Sequence, residues 1–401
     1  MKIVQINTVC GTGSTGKIAV DIYKLAEGAG YEPFIAYGRG QSPACIHGYK
    51  VGNPIDFAHH VFVNFFLGKS GFGSKAVTKR FLNWLDEIQP DLLHLHNLHG
   101  FYIHVGLLFD YIKAHDLPVV WTLHDCWPLT GQCAHFEYAK CSKWRTGCFD
   151  CPIYRTDYPY SLFRDNSKNN YILKKNAFCG VNNLTICVPS QWLSDIVKLS
   201  YLNEYPISII PNGINLDIYS CSAQNASNKE RIILGVANVW NNKKGLNAFL
   251  ELDKILDDTW QIVLIGLTPK QQAFIRNHSK RILPLAKTAN QVELVKWYNR
   301  AYVYLNPTLE DTFPTTNLEA LACGTPVITY RTGGSPECIT KESGIVVEKG
   351  NIQQLKNAIL SLEASPFINA ESCRKQAMNY DKNTRFQEYL NIYHSIMEKK
   401  R

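Results

Sequence analysis

The sequence predicts an α/β protein of two doubly wound parallel sheets. Three observations lead there. The chain has 401 residues, which suits two domains of similar size better than one. Strand-length runs that are apolar throughout recur in both halves, separated by helix-period segments. Strands apolar on both faces belong to parallel sheets covered by helices. Between the two series lies a turn signal, Pro211-Asn212-Gly213, followed by a polar stretch from Ser220 to Glu230.

In the first half KIVQIN, PFIAYG, DLLHLHN, PVVWTLHD and TICVPS read as strands, with an amphipathic run from Lys17 to Gly28 after the first. In the second half RIILGVAN, WQIVLIG, VYLNPT, PVITYR and SGIVVE alternate with the helical GLNAFLELDKIL, VELVKWYNRA and TTNLEALACG. NTRFQEYLNIYHSIMEKK reads as one amphipathic helix. The expected division is residues 1–210, with a cysteine-rich insert at 126–160, then 211–380, then a helix over 381–401 that packs back on the first domain. Ligands of such sheets bind beyond the carboxyl ends of the strands, so the chemistry is expected in the loops there, in a cleft between two facing domains.

Composition narrows the class. A 45% hydrophobic and 19% charged chain is globular rather than disordered. The net charge of +8, spread without a long basic run, favours anionic partners. Nucleic acid would need a concentrated basic face or a known motif, and neither is present. No apolar run reaches the ~18 residues of a membrane span, and no clean signal-peptide cleavage site follows the first strand. The reading is cytoplasmic, so the 13 cysteines are expected as thiols or metal ligands rather than disulfides.

The loop after the first strand, GTGSTGKI (Gly11 to Ile18), fills seven of the eight positions of a phosphate-binding P-loop. The eighth requires a hydroxyl for Mg²⁺, and Ile18 cannot provide one.

The sharpest stretch is NPTLEDTFPTTNLEALACGTPVITYRTGGSPE, Asn306 to Glu337. A strand ends at Thr308, and Pro314 is expected at the first position of a helix reaching about Cys323. Gly324 suits the left-handed position after it, and Pro326 blocks continuation. The N–H groups of Thr315, Thr316 and Asn317 then form an anion site reinforced by the helix dipole. Asp311 and Glu319 would stand roughly 12 Å apart along a helix axis. That is too far for the ~5 to 9.5 Å of a glycosidase carboxylate pair, and it suits two ends of a longer ligand with its phosphates between them.

This stretch resembles the family 4 (group 1) retaining glycosyltransferases, whose GT-B fold has two facing Rossmann-like domains, and among them it resembles bacterial surface-polysaccharide enzymes of colanic-acid or capsule type. EALACGTPV carries the match, with LGVANVWNNKKGL and IIPNGIN supporting it. The resemblance implies a metal-independent, retaining transfer from a UDP- or GDP-sugar to a glycan or lipid-linked glycan acceptor. By the same resemblance Glu319 holds the donor's ribose hydroxyls, and Asp311, with Glu310 just before it, contacts the transferred sugar. Lys244 meets the diphosphate, with Lys243 beside it and Asn238 near the place of the family's usual arginine. Phe313, Thr315 and Thr316 join the donor site, and Gly11, Gly13 and Gly16 let backbone pass close to the donor. His124 orients the sugar, with Asp125 orienting His124. His96 and His99 are expected at the acceptor pocket or as ordinary loop residues. Two other readings stay open: a P-loop nucleotide hydrolase, and an inactive sugar-nucleotide-binding protein.

Two further segments attract attention. Cys126, Cys133, Cys141, Cys148 and Cys151 crowd together, and Cys133, Cys141, Cys148 and Cys151 are the expected ligands of a structural zinc that staples the insert. Buried free thiols are the alternative. FAHHVFVNFFLGKSGFGSKAVTKRF, Phe57 to Phe81, mixes aromatics with Lys69, Lys75, Lys79 and Arg80. It reads either as a core helix and loop or as a peripheral contact with an anionic membrane surface.

Overall fold

The computed structural model describes residues 1–221, 229–365 and 367–400. Most of the polar stretch expected between the domains, residues 222–228, lies outside them. The chain divides into two units: residues 1–211 with 383–401, and residues 212–382.

In the first unit the strands are β1 Lys2–Val9, β2 Glu32–Arg39, β3 Gly48–Lys50, β4 Leu92–Leu95, β5 Val119–Thr122, β6 Leu184–Val188 and β7 Ile207–Ile209. They pair in parallel in the order β3-β2-β1-β4-β5-β6-β7. The second unit has β8 Glu230–Val236, β9 Gln261–Ile265, β10 Ile282–Leu285, β11 Ala301–Asn306, β12 Val327–Tyr330 and β13 Gly344–Val347. They are parallel in the order β10-β9-β8-β11-β12-β13. The doubly wound α/β architecture is the one expected. In each sheet the order reverses at one point, between β1 and β4 and between β8 and β11. The loops after those strands open into the crevice that such a reversal creates.

Central strands are buried on both faces, as their continuous apolar runs require: Leu92 through Leu95 and Val119 through Thr122 are all buried. Helices cover both sides of the first sheet. On one side the helix Lys382–Lys400 lays Phe386, Tyr389, Leu390 and Tyr393 against Ile3, Ile18, Ile22, Leu92 and Val120. Within this apolar contact the Tyr393 hydroxyl meets His94 Nδ1 at 2.6 Å, and His94 Nε2 lies 2.8 Å from Thr122 Oγ1.

The insert between β5 and the helix Ser167–Phe178 contains only two short 3-10 turns, Trp127–Leu129 and Lys143–Arg145. The structure lends no support to the zinc that the cysteine spacing suggests. Among the described residues no group of three or more His, Cys, Asp and Glu is placed to hold a metal ion. Cys133, Cys141, Cys148 and Cys151 line one hollow, shared with Phe136, Trp144 and Phe149. Burial pushes the Cys133 and Cys148 thiols up and Cys151 to about 11. The staple is Lys174 of the following helix. It is fully buried and donates to Trp127 O (2.9 Å) and Thr130 O (3.1 Å), with its Nζ 3.4 Å from the centre of the Trp127 ring. Gly131 is required beside it, because a Cβ there would lie 2.0 Å from Ser167 O.

Burial also sets how this fold responds to acid. Desolvation lowers His60 and His94 to about 3, whereas an unfolded histidine titrates near ~6.5. As pH falls below that value the unfolded chain takes up protons that the folded chain refuses, so stability is lost on acidification and is fully present above it. Between pH 6.5 and 5 each such group should cost roughly 2 kcal/mol. Urea unfolding of His94→Gln at pH 7 and pH 5 should show a pH dependence smaller than wild type by about that amount.

Candidate active site

The signature stretch lies at the carboxyl end of β11. The chain leaves the sheet at Asn306, and the helix Thr315–Ala322 begins after Pro314. Pro314 is not the first helical residue. Its ψ of 117° is extended, so it sits one position earlier, as the N-cap. No side chain caps this end. The Asn317 N–H bonds to Pro314 O at 3.2 Å, so the expected anion-binding group contracts to Thr315 and Thr316, whose N–H groups have no intrahelical acceptor. The Asn317 side chain is buried instead. Its Oδ1 accepts from Asn306 Nδ2 (2.8 Å), and its Nδ2 donates to Ser335 O (3.2 Å), tying the helix start to β11 and to the turn after β12.

Two lysines in the loop after β8 face two carboxylates in the loop after β11. Lys243 Nζ lies 2.7 Å from Glu310 Oε1, and Lys244 Nζ lies 2.6 Å from Asp311 Oδ2. The two pairs differ in exposure. The Glu310 side chain is 6% accessible, against 19% for Asp311 and 40% for Lys244. Backbone bonds align them: Leu309 N–H donates to Lys243 O at 2.7 Å, and Asp311 Oδ1 accepts from Phe313 N–H at 3.3 Å. Of the two adjacent acids, Asp311 is the one presented to solvent.

Glu319, one helical stretch on, is half-buried. Tyr298 donates its hydroxyl to Glu319 Oε2 at 2.9 Å. Tyr219 also hydrogen-bonds this carboxylate. Burial first, and then the charge of Glu319, push both phenols up, so they remain donors. Asn238 is exposed. Phe313 is not a surface ring: it is buried in the core against Tyr380.

In the first unit the glycine loop follows β1. Gly11 and Gly13 both have positive φ, at 71° and 65°. A Cβ on Gly13 would meet nothing within 4 Å, so Gly13 borders open space. Gly16 is different. It is buried within the helix Gly13–Gly28, and a Cβ there would lie 3.0 Å from Val9 Cγ2, so its role is close helix–strand packing. Ile18 belongs to the core under the helix Lys382–Lys400. The position where a P-loop needs its hydroxyl therefore points into the core.

His124 stands two residues beyond β5 and is partly exposed. The Asp125 carboxylate has other hydrogen-bond partners. Asp125 Oδ2 pairs with His99 Nε2 at 2.7 Å, and Oδ1 accepts from Trp127 N–H. The orienting group is His96, whose Nδ1 is 3.1 Å from His124 Nε2 with the rings stacked at 11°. His96 is itself buried at 2% exposure, so it supports the site rather than lining a pocket. The proton positions follow from its other neighbour. Gln5 Nε2 donates to Ala19 O at 3.0 Å, which turns Gln5 Oε1 towards His96 Nε2 at 2.9 Å. That oxygen can only accept, so His96 Nε2 carries the hydrogen. Desolvation holds His96 well below its usual pKa, so its Nδ1 is a lone pair and His124 Nε2 must donate to it. Burial lowers His124 to about 4, and a neutral His124 then bears its acceptor lone pair on Nδ1. A histidine so fixed accepts a hydrogen bond from a hydroxyl at neutral pH.

Two doubly wound units, one with an uncapped helix start beside a lysine and a carboxylate held by two phenols, define a protein of the GT-B glycosyltransferase class. A profile described as Glycosyltransferase Family 4 matches residues 17–218, and one described as Glycosyl transferases group 1 matches residues 230–365. The chain belongs to glycosyltransferase family 4. It is 23% identical to the putative colanic acid biosynthesis glycosyl transferase WcaC of Escherichia coli K12, over 99% of this chain and all of that protein. It is 24% identical over 48% of its length to the UDP-Gal:alpha-D-GlcNAc-diphosphoundecaprenol alpha-1,3-galactosyltransferase of Escherichia coli, spanning 55% of that enzyme. Its fold matches sucrose-phosphate synthase of Thermosynechococcus elongatus with a TM-score of 0.74, at 14% identity over 99% of both chains.

The fixed tautomer is directly measurable. The ¹⁵N shifts of the wild-type protein should show His124 protonated on Nε2 and bare on Nδ1 at pH 7. Gln5→Leu removes the acceptor that sets the order, and should yield mixed tautomers at His96 and His124 together with a loss of about 1–3 kcal/mol from the stranded N–H.

Proposed function

We propose that this protein transfers a sugar from a uridine diphosphate donor to a hydroxyl of a lipid-linked glycan, with retention at the anomeric carbon, in surface polysaccharide biosynthesis. The observation that carries the reading is the grouping of Lys244, the Thr315 and Thr316 N–H groups and Glu319 around one helix. A sugar nucleotide has a diphosphate and a ribose diol a few bonds apart. The cation and N–H groups suit the first, and the carboxylate suits the second. WcaC supports the polysaccharide setting, and the galactosyltransferase named above supports both the uridine nucleotide and the diphosphate-lipid acceptor.

As the bond from the sugar's anomeric carbon to the β-phosphate oxygen breaks, charge builds on that oxygen. Lys244 and the helix N–H groups stabilise it without calling on a metal ion. Donor binding exchanges the partner of Lys244: the diphosphate takes the ammonium, and Asp311 turns to the sugar hydroxyls. His124, with its lone pair on Nδ1, accepts from a hydroxyl of the transferred sugar and orients it. The new bond joins the anomeric carbon to the acceptor oxygen, and the acceptor's proton leaves with the diphosphate.

Thermal shifts against uridine, guanosine, adenosine and cytidine diphosphates, with and without chelator, test the donor site. A chelator-resistant shift with UDP, absent in Lys244→Ala and Glu319→Ala, is expected. A shift seen only with ATP and Mg²⁺ and lost in Lys17→Ala would return the glycine loop to the P-loop reading. Release of UDP from UDP-sugars separates an enzyme from an inactive binder.

The phenols make a finer prediction. Tyr298→Phe keeps the ring and removes the donor to Glu319, freeing that carboxylate to reorient. The UDP dissociation constant, by calorimetry, should rise about three- to tenfold, the equivalent of one hydrogen bond, with little change in kcat.

A further inference from the structure

The helix Pro54–Leu67 is inside out. Its buried residues are the polar His60 and Asn64. His60 Nδ1 lies 2.8 Å from Ser74 Oγ, its Nε2 accepts from Gly73 N–H at 3.2 Å, and Asn64 Nδ2 donates to Tyr160 O at 2.8 Å. Four of its apolar residues face outward: Ile55 is 79% exposed, Phe62 55%, and Phe66 and Leu67 41% each. An ordinary surface helix does the reverse.

The cysteine-rich insert extends the same face. Phe163, itself 64% exposed, stacks on Phe66 with ring centres 5.1 Å apart and planes at 13°, and Phe66 meets Phe62 at 4.5 Å. Tyr160 packs on Phe65, and Leu162 N–H donates to Phe65 O at 3.0 Å. The insert backbone fits so closely that a Cβ on Gly68 would lie 2.7 Å from Arg164 O. These rings are held in place by the polar anchors beneath them while their outer faces stay in water. Contiguous exposed apolar surface of this kind marks an interaction site.

Its surroundings are cationic. Lys69 and Lys75 line a hollow with His59, Val63 and Leu67. Lys79 follows Lys75 by one helical turn, and Arg164 follows Phe163. The nearby acids are engaged: Asp56, also in the hollow, bonds the Asn53 N–H at 3.1 Å and meets Arg80 at 3.4 Å, while Asp165 takes the Cys151 and Ser167 N–H groups. A second copy of this chain would set these cations against themselves in a two-fold contact. An anionic lipid leaflet answers both features, taking aromatics at the headgroup boundary and lysines at the phosphates.

We propose that this face docks the protein on a bilayer of anionic phospholipid, with Phe62, Phe66 and Phe163 entering the interface and Lys69, Lys75 and Arg164 meeting lipid phosphates. The proposal deepens the lipid-linked acceptor reading and takes its purpose from it, but its test contains no acceptor.

The full chain is sedimented with vesicles of phosphatidylglycerol and phosphatidylcholine, and with phosphatidylcholine alone. Wild type should partition at least about tenfold better onto the anionic vesicles, less so at high salt. The triple variants Phe62→Ser/Phe66→Ser/Phe163→Ser and Lys69→Glu/Lys75→Glu/Arg164→Glu should each lose about tenfold while keeping the wild-type Tm and UDP shift. Wild type left in the supernatant, equal binding to both lipids, or variants that bind like wild type would overturn the proposal. So would a concentration-dependent dimer, abolished by the phenylalanine variant, in a protein that ignores vesicles. Failure here with the UDP shift intact removes the docking face and leaves the transferase reading. Vesicle binding without donor turnover does the converse.

Discussion

Adjacent lysines meeting adjacent carboxylates constrain everything in the second unit's site. The inner pair, Lys243 with Glu310, is set between two loops with the Glu310 carboxylate nearly buried, so removing Lys243 would cost more than breaking an exposed pair. That pair and the backbone bond beside it fix the loop after β8 against the loop after β11. The outer pair, Lys244 with Asp311, inherits its position from the inner one and stays accessible. One pair therefore acts as a fastening and the other as an exchangeable contact, although the four residues come from two identical dipeptide arrangements of charge.

Much of this was legible in the sequence, and for a definite reason. Parallel strands buried on both faces must be apolar at nearly every position, so β1, β4, β8 and β11 stand out without knowledge of their neighbours. β3 and β10 do not. β3 is a three-residue edge strand of Gly, Tyr and Lys, and β10 carries Pro284, which argues against a strand except at an edge. The start of the helix Thr315–Ala322 was readable to within one residue because Pro and Gly punctuate it locally.

The site's supporting groups were not readable, because they arrive from elsewhere in the fold. Nothing near Glu319 in sequence announces Tyr298 or Tyr219. The period-two spacing of His94 and His96 puts them on one strand face, but only the fold shows that Tyr393 bonds the first and Gln5 the second. Asp125 was unreadable for the same reason: although next to His124 in the chain, it spends its carboxylate on His99 and the Trp127 N–H. Nothing in the cysteine spacing announces Lys174, far along the chain, whose side chain ties the insert to the following helix. In the glycine loop Gly13 borders space and Gly16 fills none, a difference that a motif written as three glycines erases.

The helix Lys382–Lys400 also has a consequence for how the protein is made. It completes the core of the first unit, yet the ribosome delivers it after the whole of residues 212–382. Until residues 386–393 emerge, Ile3, Ile22, Leu92 and Val120 lack their cover and His94 lacks its phenol. The second unit can mature as an uninterrupted stretch, while the first, synthesised earlier, must wait with one side of its sheet open. Birth order and folding order are therefore reversed in this chain, and the nascent first unit is the part with most need of a chaperone.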